Sequence, residues 1–395
     1  MEPEYVEGVR KDFRKDDASA PSPEKSNLAA SDATALQFSS EPERLPWLFF
    51  GPQGLRAGWL TVIFAFLLFL LAPVFGTILS ILVFDVAHLS VEARTPLSSI
   101  FGEGEWLSAL AIAGIVVALF EQRRLADYNL GGPHRLRLFA GGLIAGFAAL
   151  STLMGILVKG GWMQLGPVSL GGPAIFKYAL LWGTAFVMVA LFEEGAFRCY
   201  LLSTFARSMN FWWALLVVGA ICIYLLLASS SRGAWGIYAV ALLGLLPCLW
   251  LHLKDAPGNA FWQAAWATSA GFGFIHTFNN GENWIGILGA ATIGFVFCVS
   301  VRVTGSAWWA IGCHASWDWA ESYFYGTADS GFAAKGHYLT AVPVGSSLWS
   351  GGADGPEGSL LMLPVALLLL LAVIVLYRKR MPARLNEVST APLAS

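Results

Sequence analysis

The sequence predicts an all-α fold, a polytopic bundle of transmembrane helices. Of the 395 residues, 56% are hydrophobic and only 13% are charged, and the mean hydropathy is +0.61. Soluble globular domains carry about 25% charged residues. Long apolar segments recur along the chain, and most approach the roughly 20 residues that a helix needs to cross a bilayer. The net charge of −2 is too small to indicate an acidic or basic partner, so we expect a lipid environment and no nucleic acid.

The apolar segments define about ten predicted spans. In chain order they are 57–84, 105–121, 137–158, 175–206, 211–229, 234–252, 261–280, 284–302, 305–324 and 359–377. The first and the fourth are longer than a perpendicular crossing requires, which predicts tilted helices.

Basic residues predict the orientation of the bundle. If all ten segments cross, one side receives the basic residues of the N-terminal tail, of the loop after the second span and of the ends of spans 4, 6, 8 and 10. The opposite loops hold few, mainly Arg94, Arg232 and Lys335. The positive-inside rule therefore places both termini and the basic loops in the cytoplasm.

The remaining segments complete the predicted organisation. Residues 1–45 are rich in Ser, Ala, Pro, Glu and Lys, a composition typical of a disordered cytoplasmic tail. Residues 46–325 form the membrane bundle, and the Gly- and Ser-rich residues 326–358 form an external loop. The last transmembrane helix, 359–377, precedes a second cytoplasmic tail, 378–395.

Two glutamates and an arginine interrupt the fourth apolar segment. Glu193, Glu194 and Arg198 lie in Leu191-Phe-Glu-Glu-Gly-Ala-Phe-Arg198, and unpaired charges in a membrane helix are costly. Glu194 and Arg198 are four residues apart, so on a helix they share a face and pair. Glu193 is rotated by about 100° from Glu194 and lacks a full partner. Its charged form is disfavoured at a site of low dielectric, which makes it a candidate general base.

Three further polar residues lie in late apolar segments. His276 follows Phe272 by one helical turn, and His314 and Asp318 are four residues apart. At 1.5 Å per residue, Glu193 and His276 lie about 21–22 Å from the basic side, and His314 and Asp318 about 13 and 20 Å. Groups on three helices therefore lie at a similar depth, which predicts one shared site.

Each of these residues also has a structural interpretation when it is taken alone. A membrane histidine often hydrogen-bonds a neighbouring helix, and Glu194 with Arg198 is alternatively a structural ion pair. A transporter with a proton relay is another alternative. It predicts an inverted repeat with broken helices, whereas the sequence shows no internal repeat. The matched depth of the four groups favours a chemical site.

The order of the motifs resembles the CPBP family, which comprises the CAAX prenyl proteases and the bacteriocin-processing or self-immunity proteins. Glu-Glu-x-x-x-Arg, Phe-x-x-x-His and His-x-x-x-Asp follow one another in late spans. The stretch from Gly305 to Asp318 is especially similar to the third family motif. The resemblance covers about residues 105–325 and implies an eight-helix core, into which the fifth and sixth spans are inserted as an extra pair.

The resemblance implies an intramembrane endopeptidase. Glu193 is then the water-activating base, assisted by His276, and Glu194 and Arg198 are supporting residues. The expected partner is a peptide or protein substrate, membrane-associated or prenylated, that enters from the cytoplasmic side. The expected location is the bacterial cytoplasmic membrane.

The third motif departs from the family pattern. The resemblance implies that His314 and Asp318 stabilise the oxyanion of the tetrahedral intermediate, but here the third motif ends in Asp rather than Asn. An ionised aspartate accepts hydrogen bonds and cannot donate them, so we expect Asp318 to orient His314 or to join a metal site. Cys199 stands where the family usually has Gly, which predicts altered packing beside Arg198.

Two alternatives to metal-free peptidase chemistry stay open. No cofactor is expected, because the resemblance favours glutamate chemistry without a metal. In a zinc-dependent version, Glu193, His276, His314 and Asp318 are the ligands, and their types suit Zn²⁺, although the sequence has no His-Glu-x-x-His helix. A non-catalytic membrane protein that confers immunity to a peptide toxin is a different class of function.

Overall fold

The computed structural model describes residues 49–51, 54–86, 92–228, 235–255, 258–279 and 281–378. Over these ranges the chain is predominantly helical. The predicted tails, 1–45 and the residues after Arg378, lie outside the described residues.

Within the described ranges the helices follow one another with short connections. They are α1 (Ala57–Ser80), α2 (Pro96–Phe120), α3 (Arg135–Lys159), α4 (Pro173–Glu194), α5 (Leu202–Phe205), α6 (Phe211–Ala228), α7 (Trp235–Lys254), α8 (Asn259–His276), α9 (Trp284–Thr304), α10 (Trp308–Asp318), α11 (Ser347–Ser350) and α12 (Met362–Tyr377). Three π-helical stretches extend α1, α4 and α10, and they are Ile81–Val86, Gly195–Leu201 and Trp319–Tyr325.

All ten predicted apolar segments coincide with helices over most of their length, so the all-α class is confirmed. In the described residues, five helical segments are long and apolar enough to cross a membrane by length and composition, namely Ala57–Val83, Pro96–Phe120, Arg135–Lys159, Pro173–Phe205 and Trp284–Thr304. Such helices are typical of an integral membrane protein. Ten crossings and cytoplasmic termini stay predictions.

Helix α2 begins nine residues before the predicted start of its span, at Pro96 instead of residue 105. Thr95 is the N-cap: its side chain accepts a hydrogen bond from the Ser98 backbone, and Ser98 Oγ accepts one from the Thr95 N–H at 3.1 Å. Proline at the first helical position suits this geometry. Glu103, which precedes the predicted span, therefore lies inside the helix.

Glycines bring α3 and α10 into close backbone contact. A Cβ on Gly142 would lie 2.2 Å from the Trp309 carbonyl oxygen, and one on Gly146 would lie 2.1 Å from that of Cys313. In the opposite direction, a Cβ on Gly312 would lie 2.2 Å from the Phe139 carbonyl oxygen. Small residues spaced by four are a common interface in membrane helices, and here they fix the helix that carries His314.

Residues 326–358 form a folded segment, called the cap segment below, against one end of the bundle. Strands β4 (Ala328–Asp329) and β5 (Phe332–Ala333) pair with each other, and β6 (Ala341–Pro343) pairs antiparallel with β3 (Met163–Leu165) between α3 and α4. The Lys335 N–H donates to the Arg94 carbonyl oxygen at 2.8 Å. A further hairpin, β1 (Phe50–Gly51) with β2 (Gly54–Leu55), precedes α1.

Candidate active site

The carboxyl end of α4 presents the two adjacent glutamates, and the helix changes type directly after them. Glu194 ends α4, and the π-helix Gly195–Leu201 follows without a break. The helix that carries Asp318 likewise continues as a π-helix from Trp319. Short π-helical turns inside α-helices are frequent at functional sites, and both of these follow predicted site residues.

Glu194 and Arg198 form a buried ion pair. Arg198 Nη1 lies 3.1 Å from Glu194 Oε1, and the two side chains are 1% and 0% exposed. The guanidinium lies 4.1 Å from the ring centre of Phe272 and 5.4 Å from that of Phe297, so aromatic faces replace part of its lost hydration. Gly294 leaves the space, since a Cβ there would lie 2.6 Å from Arg198 Nη2.

His314 lies between three carboxylates. Its Nδ1 is 3.0 Å from Glu194 Oε1. Its Nε2 is 3.4 Å from Asp318 Oδ2 and 3.8 Å from Glu193 Oε2. Because an ionised carboxylate only accepts hydrogen bonds, Glu194 orients the ring by accepting from Nδ1. The Nε2 edge then faces Asp318 and Glu193, as expected for an aspartate that orients the histidine.

Phe272 and His276 explain the spacing of the second motif. His276 Nδ1 donates to the Phe272 carbonyl oxygen at 2.8 Å, which leaves Nε2 available for another partner. The two rings are 4.8 Å apart, and the Phe272 ring also meets that of His314 edge-on at 6.2 Å. Phe272 therefore contacts the rings of both histidines as well as the guanidinium of Arg198.

A cavity of about 280 Å³ brings the predicted residues together. Glu193, His276, His314 and Asp318 all line it, whereas Glu194 and Arg198 do not and lie behind them. Further polar residues that line the cavity are Ser99, Glu103, Asn279, Asp329, Ser330 and Glu357. These belong to the cap segment or to helix ends beside it, so the cavity extends from Glu193 toward the cap segment.

Sequence reasoning missed several acidic residues of this cavity. The sequence does carry a signal for Glu103. Thr95 and Pro96 together indicate a helix that starts early enough to include it. Asp329 and Glu357 come from a Gly-rich segment with no periodic pattern, and a single sequence gives no indication that they lie beside the site.

Acidic groups outside the spans resist ionisation at the cap end. Burial and the neighbouring Asp354 raise the pKa of Glu282 to about 9. Burial and Glu357 raise the pKa of Asp354 to about 7. Burial, followed by the repulsion of Asp318 and Glu357, raises the pKa of Asp329 well above its usual range. The carboxyl groups at the cap end are therefore crowded together, and each of them is protonated more readily than an exposed one.

The potential metal ligands cluster elsewhere than predicted. Among the described residues, one group of at least three His, Cys, Asp or Glu side chains places its ligand atoms within 4.8 Å of one another, and it consists of Glu321, Asp329 and Glu357. The predicted zinc set around Glu193 and His276 is not such a group in this part of the chain. Zinc at that set stays a prediction.

Comparison with known proteins addresses the second and third motifs. A family model described as "Type II CAAX prenyl endopeptidase Rce1-like" matches residues 248–320, which include His276, His314 and Asp318. The resemblance to CPBP intramembrane proteases is thereby confirmed for these residues. Glu193 lies N-terminal to the matched residues, so its inclusion in the site depends on the geometry above. No curated protein and no solved structure matches the chain.

Proposed function

We propose that the protein is an intramembrane endopeptidase that hydrolyses a peptide bond with water activated by Glu193. The observation that carries the proposal is that the two adjacent glutamates have different surroundings. Glu194 is fully buried and neutralised by Arg198, whereas Glu193 is 22% exposed, lines the cavity and has an Oε2 without a hydrogen-bond partner. A carboxylate that faces a cavity beside two histidines suits general-base catalysis.

Each residue then has a place in the reaction. The Glu193 carboxylate takes a proton from water, and the oxygen of the water attacks the peptide carbonyl carbon. His314 is held at Nδ1 by Glu194, and its Nε2–H, which faces Asp318 in the free protein, donates instead to the developing oxyanion. Collapse of the tetrahedral intermediate breaks the C–N bond, and the proton on Glu193 passes to the amine. His276, with Nε2 available, hydrogen-bonds the water or the leaving amine.

The position of the cavity changes the expected route of the substrate. Approach from the side of the basic loops was expected, but the cavity lining extends toward the cap segment, represented by Ser330 and Glu357. With ten crossings and both termini in the cytoplasm, the cap segment is extracytoplasmic. We therefore propose that the peptide reaches Glu193 from the cap side of a bacterial cytoplasmic membrane.

Comparison of wild type with Glu193→Gln tests the reaction. Both proteins are purified in lipid and incubated with a peptide pool and a prenylated CAAX peptide, and the products are identified by mass spectrometry. We expect cleavage by wild type and none by Glu193→Gln, because glutamine keeps the size but cannot take the proton. Glu105→Gln, a half-buried carboxylate of α2 outside the cavity lining, serves as the control.

The other outcomes select among the alternatives. Equal cleavage by both proteins removes Glu193 as the base. Binding of a peptide with no product, in wild type as in the variant, supports the immunity protein. Loss of wild-type cleavage with 1,10-phenanthroline that Zn²⁺ restores supports the zinc-dependent version.

Labelling of introduced cysteines tests the route. Ser330→Cys lies in the cavity lining, and Ser208→Cys is exposed beside Arg207 at the basic end. In right-side-out vesicles, we expect a membrane-impermeant maleimide to label Ser330→Cys and block cleavage, and to leave Ser208→Cys unlabelled. The reverse pattern would contradict both the orientation and the route.

A further inference from the structure

Beside the cavity, three carboxylates from separate parts of the chain meet at one point. The carboxylate trio consists of Glu321, in the π-helix after α10, Asp329, on β4, and Glu357, in the 3₁₀ turn Pro356–Gly358 at the end of the cap segment. One oxygen from each lies within 4.8 Å of the other two. The trio therefore joins the cap segment to the helix that carries the third motif.

The hydrogen-bond donors around the trio are neutral. Trp317 Nε1 donates to Glu357 Oε1 at 2.7 Å, and Ser330 Oγ donates to Glu357 Oε2 at 2.9 Å. Ser322 Oγ donates to Asp329 Oδ2 at 3.0 Å. Among the described residues, no Lys, Arg or His lies within ion-pair distance of the trio. The protein thus supplies no cation to a set of three acids.

Glu321 is the member that points to a ligand. Its side chain is 0% exposed, and neither of its carboxylate oxygens has a hydrogen-bond partner. Buried polar groups are nearly always paired, and an unpaired buried charge is strongly destabilising. One of these oxygens lies within 4.8 Å of oxygens of Asp329 and Glu357, so a bound cation would satisfy all three residues.

A glycine brings the end of the cap segment close to Glu321. Gly355 has a φ of +104°, a conformation that favours glycine. A Cβ at this position would lie 2.0 Å from the Ala328 carbonyl oxygen and 3.1 Å from Glu321 Oε1. Glycine therefore lets the backbone of the cap segment pack against β4 beside the buried carboxylate of Glu321.

We propose that the carboxylate trio binds one divalent cation of the calcium type. The ligand set contains only oxygen, which suits hard cations and not Zn²⁺. Oxygens within 4.8 Å of one another fit around a single ion whose ligands stand at about 2.3–2.6 Å, and Ca²⁺ accepts irregular sets of carboxylates and carbonyls from loops. The ion fastens the cap segment to the helix three residues beyond Asp318, whether or not the site cleaves peptides.

Cation binding to the full chain in lipid nanodiscs tests the proposal without reference to activity. Metals are removed with EDTA, and the EDTA is then removed by buffer exchange. Ca²⁺ is titrated while the midpoint of thermal unfolding is measured. Tb³⁺ is titrated in parallel, with excitation of tryptophan, since Trp317 contacts Glu357. We expect a saturable rise of the midpoint, one Tb³⁺ per chain, and affinity weakened at least tenfold in Glu321→Gln. Glu92→Gln, whose carboxylate is 69% exposed on the same side, should bind as wild type does.

The same experiment contains the results that overturn the proposal. Absence of saturable Ca²⁺ and Tb³⁺ binding in wild type, or equal affinity in Glu321→Gln, excludes the site. In EDTA, Glu321→Gln is expected to be at least as stable as wild type, because it removes an unpaired charge. If it is instead less stable and wild type binds no cation, the trio shares protons. Asp329→Asn is the second variant, with the same loss of affinity expected.

Discussion

The protein contains two buried acidic clusters that differ in how their charge is balanced. Around His314, the carboxylates of Glu193, Glu194 and Asp318 meet a histidine, and Arg198 pairs with one of them. In the carboxylate trio, the described donors are neutral, and both oxygens of Glu321 are unpartnered. The first cluster carries its own cations, and the second requires one from outside.

This difference separates two roles. A carboxylate with positively charged neighbours needs no metal to balance its charge and is free to move protons, as Glu193 is proposed to do. Carboxylates without such neighbours bind protons or a cation, and they then act as a structural joint. The predictions below test this separation, from the largest expected effect to the smallest.

Glu193→Gln should have the largest effect on activity. We expect the rate of cleavage to fall by about 10²–10⁴-fold, the range for removal of a general base. The midpoint of thermal unfolding should not fall, because Glu193 Oε2 has no hydrogen-bond partner and lies 3.8 Å from His314 Nε2. Single-turnover cleavage and a melting curve on the same preparation check both statements. A large drop in stability would mean that Glu193 is structural.

Arg198→Met should have the largest effect on stability. It leaves the buried carboxylate of Glu194 without its arginine, and loss of one member of a buried pair costs about 3–5 kcal/mol. Unfolding by denaturant in mixed micelles measures the change. The double variant Glu194→Gln/Arg198→Met removes both charges, so most of the loss should be recovered. No recovery would show that Arg198 acts through its packing against the aromatic rings.

Gly142→Ala should weaken the contact of α3 with α10. The new Cβ would lie 2.2 Å from the Trp309 carbonyl oxygen, and overpacking of this kind costs about 1–3 kcal/mol. Gly155→Ala is the matched control on the same helix, since no atom lies within 4 Å of its Cβ position. We expect the control to be neutral or more stable, and equal stability losses in both variants would contradict this interface.

Asp318→Asn should have the smallest effect on cleavage. The side-chain oxygen of asparagine still accepts a hydrogen bond from His314 Nε2, which is 3.4 Å from Asp318 Oδ2. We expect kcat within about tenfold of wild type, since a hydrogen bond to a charged group contributes about 1.5–3 kcal/mol and part of it is retained. A loss as large as that of Glu193→Gln would show that the charge is needed, as in a metal site.

The two clusters also differ in what the sequence reveals. The motif residues could be found because each set lies on one helix at a spacing of four, as in Glu194 with Arg198 and His314 with Asp318. The helices that cover the ten apolar segments were predictable from their apolar runs. Glu321, Asp329 and Glu357 have no shared period, and the fold of a Gly-rich segment brings them together. Glu103 differs from these three residues, because Thr95 and Pro96 indicate the start of α2 and thereby place Glu103 on that helix.

Parallel assays of two variants test the separation of roles most directly. Glu193→Gln and Glu321→Gln are each measured for peptide cleavage and for Tb³⁺ affinity. We predict that Glu193→Gln binds Tb³⁺ as wild type does and cleaves the peptide at least about a hundredfold more slowly. Glu321→Gln loses the ion and, at equal folding, retains cleavage of the peptide. If Glu193→Gln loses both Tb³⁺ binding and cleavage, the separation is contradicted, since that result would show a single metal-dependent site.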